Sequence, residues 1–380
     1  MEKVFIISIL AGELVKFPFF GIQGPVLLDL TIFLFCLIGL FQIKFKFRKP
    51  NLLIKLGALF IGISILSLIL TPLLLSTNEF LISFSYTLRF SLYFLIYYLL
   101  YCGAFPDFKK NIYKSLLFSG IGLSCLGLLQ FLILPNLAFL QTSGWDPHYF
   151  RTVSTFLDPN FAGAYFVLTL LLIMSLRGAL ATRQSNLFFI LVYVSLLTTF
   201  SRSSYLMFFV SGISFSLLKK SKKIFAATII LFVVLMLGFQ LYTQLIAKPK
   251  GIDRKQSASY RIDTWQDGLS IFQKSPFLGV GFNTYKYALR EYKLADEQFL
   301  ESRGSSTNDS SLLYVLATTG IIGFSIYILF LISILKISIK NNYLVVAALS
   351  GLIIHSFFAN SLFFPFILIW ILLKASDIKN

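Results

Sequence analysis

Acidic residues are scarce in this chain: 16 of its 380 positions are Asp or Glu against 33 Lys and Arg, and charged residues together make up 13%. With 57% hydrophobic residues and a mean hydropathy of +0.81, so little polar material cannot cover a soluble globule of this size, and the composition calls for an integral membrane protein. Cysteine is nearly absent. Cys36, Cys102 and Cys125 each lie inside an apolar run with no CxxC pair and no histidine nearby, which removes a disulfide framework and a thiolate metal site. There is no P-loop pattern, no HExxH and no GxSxG, so nucleotide hydrolysis, zinc proteolysis and hydrolase-type serine chemistry have no support. Nor is there an internal repeat of the kind that builds the matched halves of a secondary transporter.

The net charge of +17 does not point to nucleic acid, because the basic residues sit in short clusters between apolar segments, as orientation signals do. The apolar runs cover residues 4–20, 26–43, 52–75, 80–103, 112–135, 161–176, 187–200, 204–218, 224–246, 311–335, 343–358 and 361–375. At ~20 residues per crossing they predict an all-α polytopic membrane protein of about twelve transmembrane helices. Helices 1 to 9 are expected within residues 1–246, one long extracytoplasmic loop at 247–310, and helices 10 to 12 within 311–380. The first run follows Lys3, contains Glu13 and Lys16 and lacks a small-residue cleavage site, so it reads as a retained span.

Basic clusters mark every second connection: Lys44, Lys46, Arg48 and Lys49; Lys109 and Lys110; Arg177 and Arg183; Lys219, Lys220, Lys222 and Lys223; Lys336 and Lys340; and Lys374. That alternation predicts cytoplasmic termini and outward-facing connections at 136–160 and 247–310, whose own charges weigh little in orientation because the loops are long. The second of these connections is the one long polar interval of the chain, rich in Gly, Pro, Trp, Tyr and charges of both signs.

Three outward neighbourhoods hold the residues fit for chemistry. The first, WDPHYFRTVSTFLDPNFAGAY, contains His148, Arg151, Asp158 and Asn160; the second, TFSRSSYL, contains Arg202; the third is the long loop with Arg261, the SPFLGVGFNTY segment and Asp309. A guanidinium between two apolar arms, as at Arg202, is costly unless it meets an anion or snorkels to headgroups, and its planar fork suits phosphate. Arg261 has the same two readings, with a surface ion pair to Asp263 or Asp267 as the plainer one. Arg89, inside an apolar run, reads as the partner of a buried polar group. In GVGFNTY the glycines permit a tight turn before a short helix containing Tyr285 to Tyr292, since GxG alone makes no phosphate loop. Asp309, where the loop re-enters the membrane, is either a helix N-cap or a working carboxylate. His148 stands alone and the acidic residues of the loops are scattered, so no metal site is predicted.

The order SRS, then Arg-x-x-x-Trp, then SPFLGVGFNTY, then a polar pair, then LLYVLATTGIIGF resembles the O-antigen ligase and polysaccharide polymerase superfamily, and RTVSTFLDPNFAGAY resembles its upstream phrase. The resemblance runs from Arg151 to Phe324, about half of the chain. It implies a metal-independent membrane glycosyltransferase of the bacterial cytoplasmic membrane, a ligase or polymerase of cell-envelope and lipopolysaccharide assembly that needs no cofactor. Its donor would be a glycan on undecaprenyl diphosphate at the outer face, and its acceptor a glycan, a lipid or a protein. By motif, the diphosphate-binding arginines fall on Arg202 and Arg261, with Arg151 as a third; His148, Asn308 and Tyr285 are further candidate substrate contacts. The family's base, a histidine heading a His-Asn-x-x-Leu phrase, falls on Asp309, with Ser310 in the place of the asparagine. A polytopic transporter or flippase of a lipid-linked or anionic glycan is the competing expectation: it would use the same arginines without breaking a bond.

Overall fold

The computed structural model describes residues 1–17, 24–176, 183–250 and 256–377. Its regular structure is helical: α1 (Glu2–Ala11), α2 (Leu27–Gln42), α3 (Leu52–Ile69), α4 (Thr77–Cys102), α5 (Pro106–Ile133), α6 (Pro159–Leu176), α7 (Arg183–Thr198), α8 (Arg202–Leu218), α9 (Lys222–Tyr242), α10 (Gln256–Lys274), α11 (Tyr285–Glu291), α12 (Glu297–Glu301), α13 (Ser311–Asn341), α14 (Tyr343–His355) and α15 (Pro365–Ser376). Among the described residues there is no strand, only the isolated bridges Lys16 with Val26 and Asn136 with Tyr149.

Every apolar run holds one helix, and the polar interval carries α10, α11 and α12. Among the described residues, α3, α4, α5, α9 with its continuation and α13 are long and apolar enough to cross a bilayer by themselves, five in all; α2, α6, α7, α14 and α15 are apolar but shorter. Helix length therefore supports the expected count of about twelve crossings only in part. The first run is the clearest departure. Instead of continuing through residue 20, α1 ends at Ala11, where Gly12 takes φ 55° and Glu13 donates its N–H to the Thr155 carbonyl. Residues 18–23 and Arg177 lie outside the described residues.

Lipid is the solvent for most of this surface. On α9, Ile230, Leu237 and Leu241 are each more than half exposed, a bare apolar face that is stable only against hydrocarbon. At the opposite extreme, every residue of α15 is buried, Trp370 completely. A helix apolar all round belongs inside a bundle, and α15 packs among α2, α4, α5, α6 and α14. Arg89 meets its expected buried partner: its guanidinium lies 2.7 Å from Asp29, which also accepts from Tyr93 Oη at 3.0 Å.

What positions the loop is a break in α13. At Gly320 the backbone leaves the helix with φ 63° and ψ −171°, and the SPFLGVG segment fills the gap. Val280 and Gly281 donate their N–H groups to the Ala317 and Thr318 carbonyls at 3.1 and 3.0 Å. Beyond the break, Ile321 and Ile322 donate to the Pro276 and Phe277 carbonyls at 2.8 and 3.3 Å. The groups freed by the broken helix are thus satisfied inside the apolar layer, as a bilayer requires. From α3, Ser67 Oγ is placed to donate to the Leu278 and Thr318 carbonyls, 2.7 Å from each. No side chain fits the crossing: a Cβ on Gly320 would stand 2.2 Å from the Phe277 oxygen, and one on Gly279, at φ 70°, 2.3 Å from the Thr318 carbonyl carbon. Gly320→Val should therefore release the segment, with about 1–3 kcal/mol of backbone strain added to the clash. Protease cleavage within 275–285 should speed up, and an unchanged cleavage rate and melting temperature would refute the docked arrangement.

Candidate active site

The residues of interest collect at one end of the bundle, where α5, α7 and α14 finish and α6, α8 and α13 begin. Ser311 donates its N–H to the Ser356 carbonyl at 2.8 Å, and Thr152 donates to the Thr198 carbonyl at 2.9 Å, so the loops of this end are stitched to one another. The N-cap of α13 is Ser310, whose hydroxyl accepts from Leu313 N–H at 3.3 Å. Asp309 is therefore spared from capping, and among the described residues no hydrogen bond reaches its half-buried carboxylate.

Asn308 anchors the backbone on either side of Asp309. Fully buried, it accepts from Ser310 N–H at 2.8 Å, donates to Tyr285 Oη at 2.9 Å and donates to the Thr264 carbonyl of α10. Tyr285, 1% exposed, in turn donates to the same Thr264 oxygen at 3.3 Å. The pair locks α10 and α11 against the start of α13. Removing one partner leaves a buried donor or acceptor open, which ordinarily costs about 1–3 kcal/mol.

Arg261 lies on α10 within the electrostatic reach of Asp309 and 5.8 Å from the Phe358 ring centroid. It forms no ion pair with Asp263 or Asp267, so its charge remains directed at the site. One turn on, Trp265 Nε1 donates to the Phe357 carbonyl at 3.0 Å and ties the helix to the turn after α14. Burial pushes the Asp309 carboxyl up to about 6; Arg261 opposes the rise, and Asp146 and Asp158 add to it. Burial also raises Asp146 and Asp158, the latter against the N–H groups of Phe161 and Asn160 that it caps. A carboxylate poised near neutrality beside a guanidinium can accept a proton from a hydroxyl.

The SRS turn completes the floor. Asn160 Oδ1 accepts from Ser201 Oγ at 2.7 Å and Ser203 Oγ at 3.3 Å, while Ser204 Oγ donates to the Asn160 carbonyl at 3.0 Å. Arg202 is exposed, with its guanidinium 5.5 Å from the Phe239 ring centroid. Arg151 is buried and donates Nε to the Thr199 carbonyl at 2.8 Å and Nη2 to that of Phe200 at 3.4 Å, so it braces the end of α7. His148 is buried in the preceding loop, its carbonyl accepting from Leu137 N–H at 2.9 Å. Sequence reasoning missed His355. This fully buried residue ends α14 with Nε2 3.4 Å from Ser204 Oγ, and its Nδ1 forms no hydrogen bond. Its one sequence signal was a lone histidine closing an apolar run.

No group of three His, Cys, Asp or Glu side chains able to hold a metal ion forms among the described residues. A cavity of about 320 Å³ lined by Tyr113, Lys219, Asn342, Tyr343 and Lys374 lies at the opposite end, among the basic clusters and away from Asp309.

Comparison with protein families finds that residues 187–328 match the family described as O-antigen ligase. Over this stretch the chain is similar to the O-antigen ligase family. No curated protein matches the chain. The matched stretch opens in α7 and closes in α13 just past the Gly320 break, so it contains Arg202, Arg261, the SPFLGVG segment and Asp309. Arg151, Asn160 and His355, which hold its SRS turn, come from outside the match. The chain is an integral membrane protein with a ligase-like stretch whose polar groups gather at one end of its helices.

Proposed function

We propose that this protein is a metal-independent glycosyltransferase of the bacterial cytoplasmic membrane that moves a glycan from undecaprenyl diphosphate to an acceptor hydroxyl at the outer face. The observation that carries the reading is Asp309: uncapped, half-buried, raised toward neutrality and beside Arg261, inside the stretch similar to the O-antigen ligase family. The acceptor oxygen attacks the anomeric carbon while Asp309 takes its proton, and the bond from that carbon to the diphosphate oxygen breaks. Arg261 and Arg202 meet the charge that grows on the departing undecaprenyl diphosphate, the kind of term that ordinarily dominates such reactions. Arg151 supports them from the end of α7, and Asn308 and Tyr285 fix Asp309 against α10. On this reading the shorter apolar helices complete their crossings through the turns at their ends, giving about twelve spans.

Purified protein in lipid vesicles with an undecaprenyl diphosphate-linked glycan tests it. Glycan should leave the carrier and appear on an acceptor at the same rate with and without EDTA. Passage of intact lipid-linked glycan across the bilayer with no bond broken would replace the enzyme by a transporter. Loss of transfer in EDTA with recovery on added magnesium would remove metal independence.

A further inference from the structure

A second cationic centre, unused by the donor arginines and with only Arg303 inside the O-antigen ligase match, lies where residues 13–16 meet the loops at 136–150 and 303–306. Arg303 lays its guanidinium 3.7 Å from the Trp145 ring centroid, and Lys16 Nζ stands 5.3 Å from the same centroid. Lys16 is ion-paired with Glu13, and the neighbouring Arg89 is paired with Asp29 at 2.7 Å. Arg303 is different. It belongs to no ion pair among the described residues, and its Nε is buried without a hydrogen-bond partner. Glu13 and Tyr86 act on it electrostatically, and Gly144, left-handed at φ 76°, lets the 136–150 loop turn beside the Arg303 side chain. A buried guanidinium donor with no acceptor is costly in a folded protein unless a ligand supplies one.

The position gives that ligand a role. Asp146, the residue after Trp145, acts electrostatically on Asp309, so the loop that carries the Trp145–Arg303 stack also reaches the surroundings of Asp309. We infer that Arg303, stacked on Trp145 and backed by Lys16, binds an oxyanion of the acceptor, either a sugar carboxylate or a phosphate, and so presents the acceptor hydroxyl to Asp309. This rests on the glycosyltransferase reading of the same site and adds the acceptor's chemical class: it carries a negative group. Arg303 touches substrate but no reacting atom. Arginine is the side chain for the task, because its fork holds an oxyanion in plane while its face stays on the indole.

Binding to the purified protein in nanodiscs separates the two ends of the site. The probes are farnesyl diphosphate for the donor end, and glucuronate and inorganic phosphate, each alone, for the Arg303 end. Arg303→Gln should weaken glucuronate or phosphate by about tenfold or more, the value of a lost charged hydrogen bond, and leave farnesyl diphosphate at its wild-type affinity. Arg303→Lys should fall between, and Arg261→Gln should do the reverse. Whichever oxyanion binds more tightly to the wild type identifies the acceptor's negative group as carboxylate or phosphate. If Arg303 only staples the loop, Arg303→Gln would lower the melting temperature and leave both oxyanion affinities unchanged, and that overturns the inference. An absence of oxyanion binding to the wild type would overturn it as well. Farnesyl diphosphate failing to bind the wild type while Arg303-dependent oxyanion binding persists would instead remove the donor assignment and keep this subsite.

Discussion

Asp309→Asn lowers glycan transfer by about 100-fold or more, the usual scale for a lost general base, while the protein folds normally. Asparagine keeps the size of the side chain and loses only the proton acceptor. Capping cannot confuse the result, because Ser310 supplies the cap of α13. Stability should move in the opposite direction to activity. The carboxyl of Asp309 is held up at about 6 by burial, above its value in an unfolded chain. The folded state therefore binds the proton more tightly, and its stability falls as pH rises from the unfolded value through about 6. Above that range the ionised carboxylate is a burden that asparagine does not carry, so the variant should melt no lower than wild type at neutral pH, and slightly higher where the burden is full. Wild-type turnover should rise with pH through about 6 and then level as the base ionises. Asp309→His should recover part of the activity, since imidazole titrates nearby. Full activity in Asp309→Asn at neutral pH would end the assignment and turn attention to His355.

Arg261→Ala should cost about 100-fold in turnover, and Arg261→Lys much of that despite the retained charge, because an ammonium cannot reproduce the planar fork on a diphosphate. A second signature makes the test specific. Arg261 holds the Asp309 carboxyl down against burial, so its removal should shift the acid limb of the pH–rate profile upward, whereas lysine should leave the limb nearly in place. Arg202, exposed at the start of α8, should affect turnover without moving the limb. Wild-type rates in both lysine variants, with the protein folded, would remove the diphosphate role. A fall in rate with no shift of the limb in Arg261→Ala would separate Arg261 from Asp309.

The membrane class, the twelve apolar runs that became helices and the polar interval among them were determined by the sequence alone, because each follows from local composition and from the bilayer's demand for satisfied backbone groups. So was the turn at Gly279 and Gly281 ahead of α11, since both glycines take positive φ. Other features were beyond reach. Whether Asp309 or Ser310 caps α13 depends on which residue stands just outside the first helical turn, and Ser310, at φ −85° and ψ 119°, is that residue. The break at Gly320 reads as ordinary helix until the SPFLGVG carbonyls and N–H groups arrive from residues 276–281. His355 meets Ser204 across 151 residues of chain, and Arg303 meets Trp145 only because α1–α2, the 136–150 loop and the start of α13 converge.

The reason is common to all of them. A helix in water announces its buried face by leaving the other face polar, but these helices are apolar nearly all round, and lipid tails reward no face over another. Which helix meets which is therefore decided by small residues, broken backbone and buried hydrogen bonds. Those act between distant parts of the chain and exist only once the tertiary structure has formed.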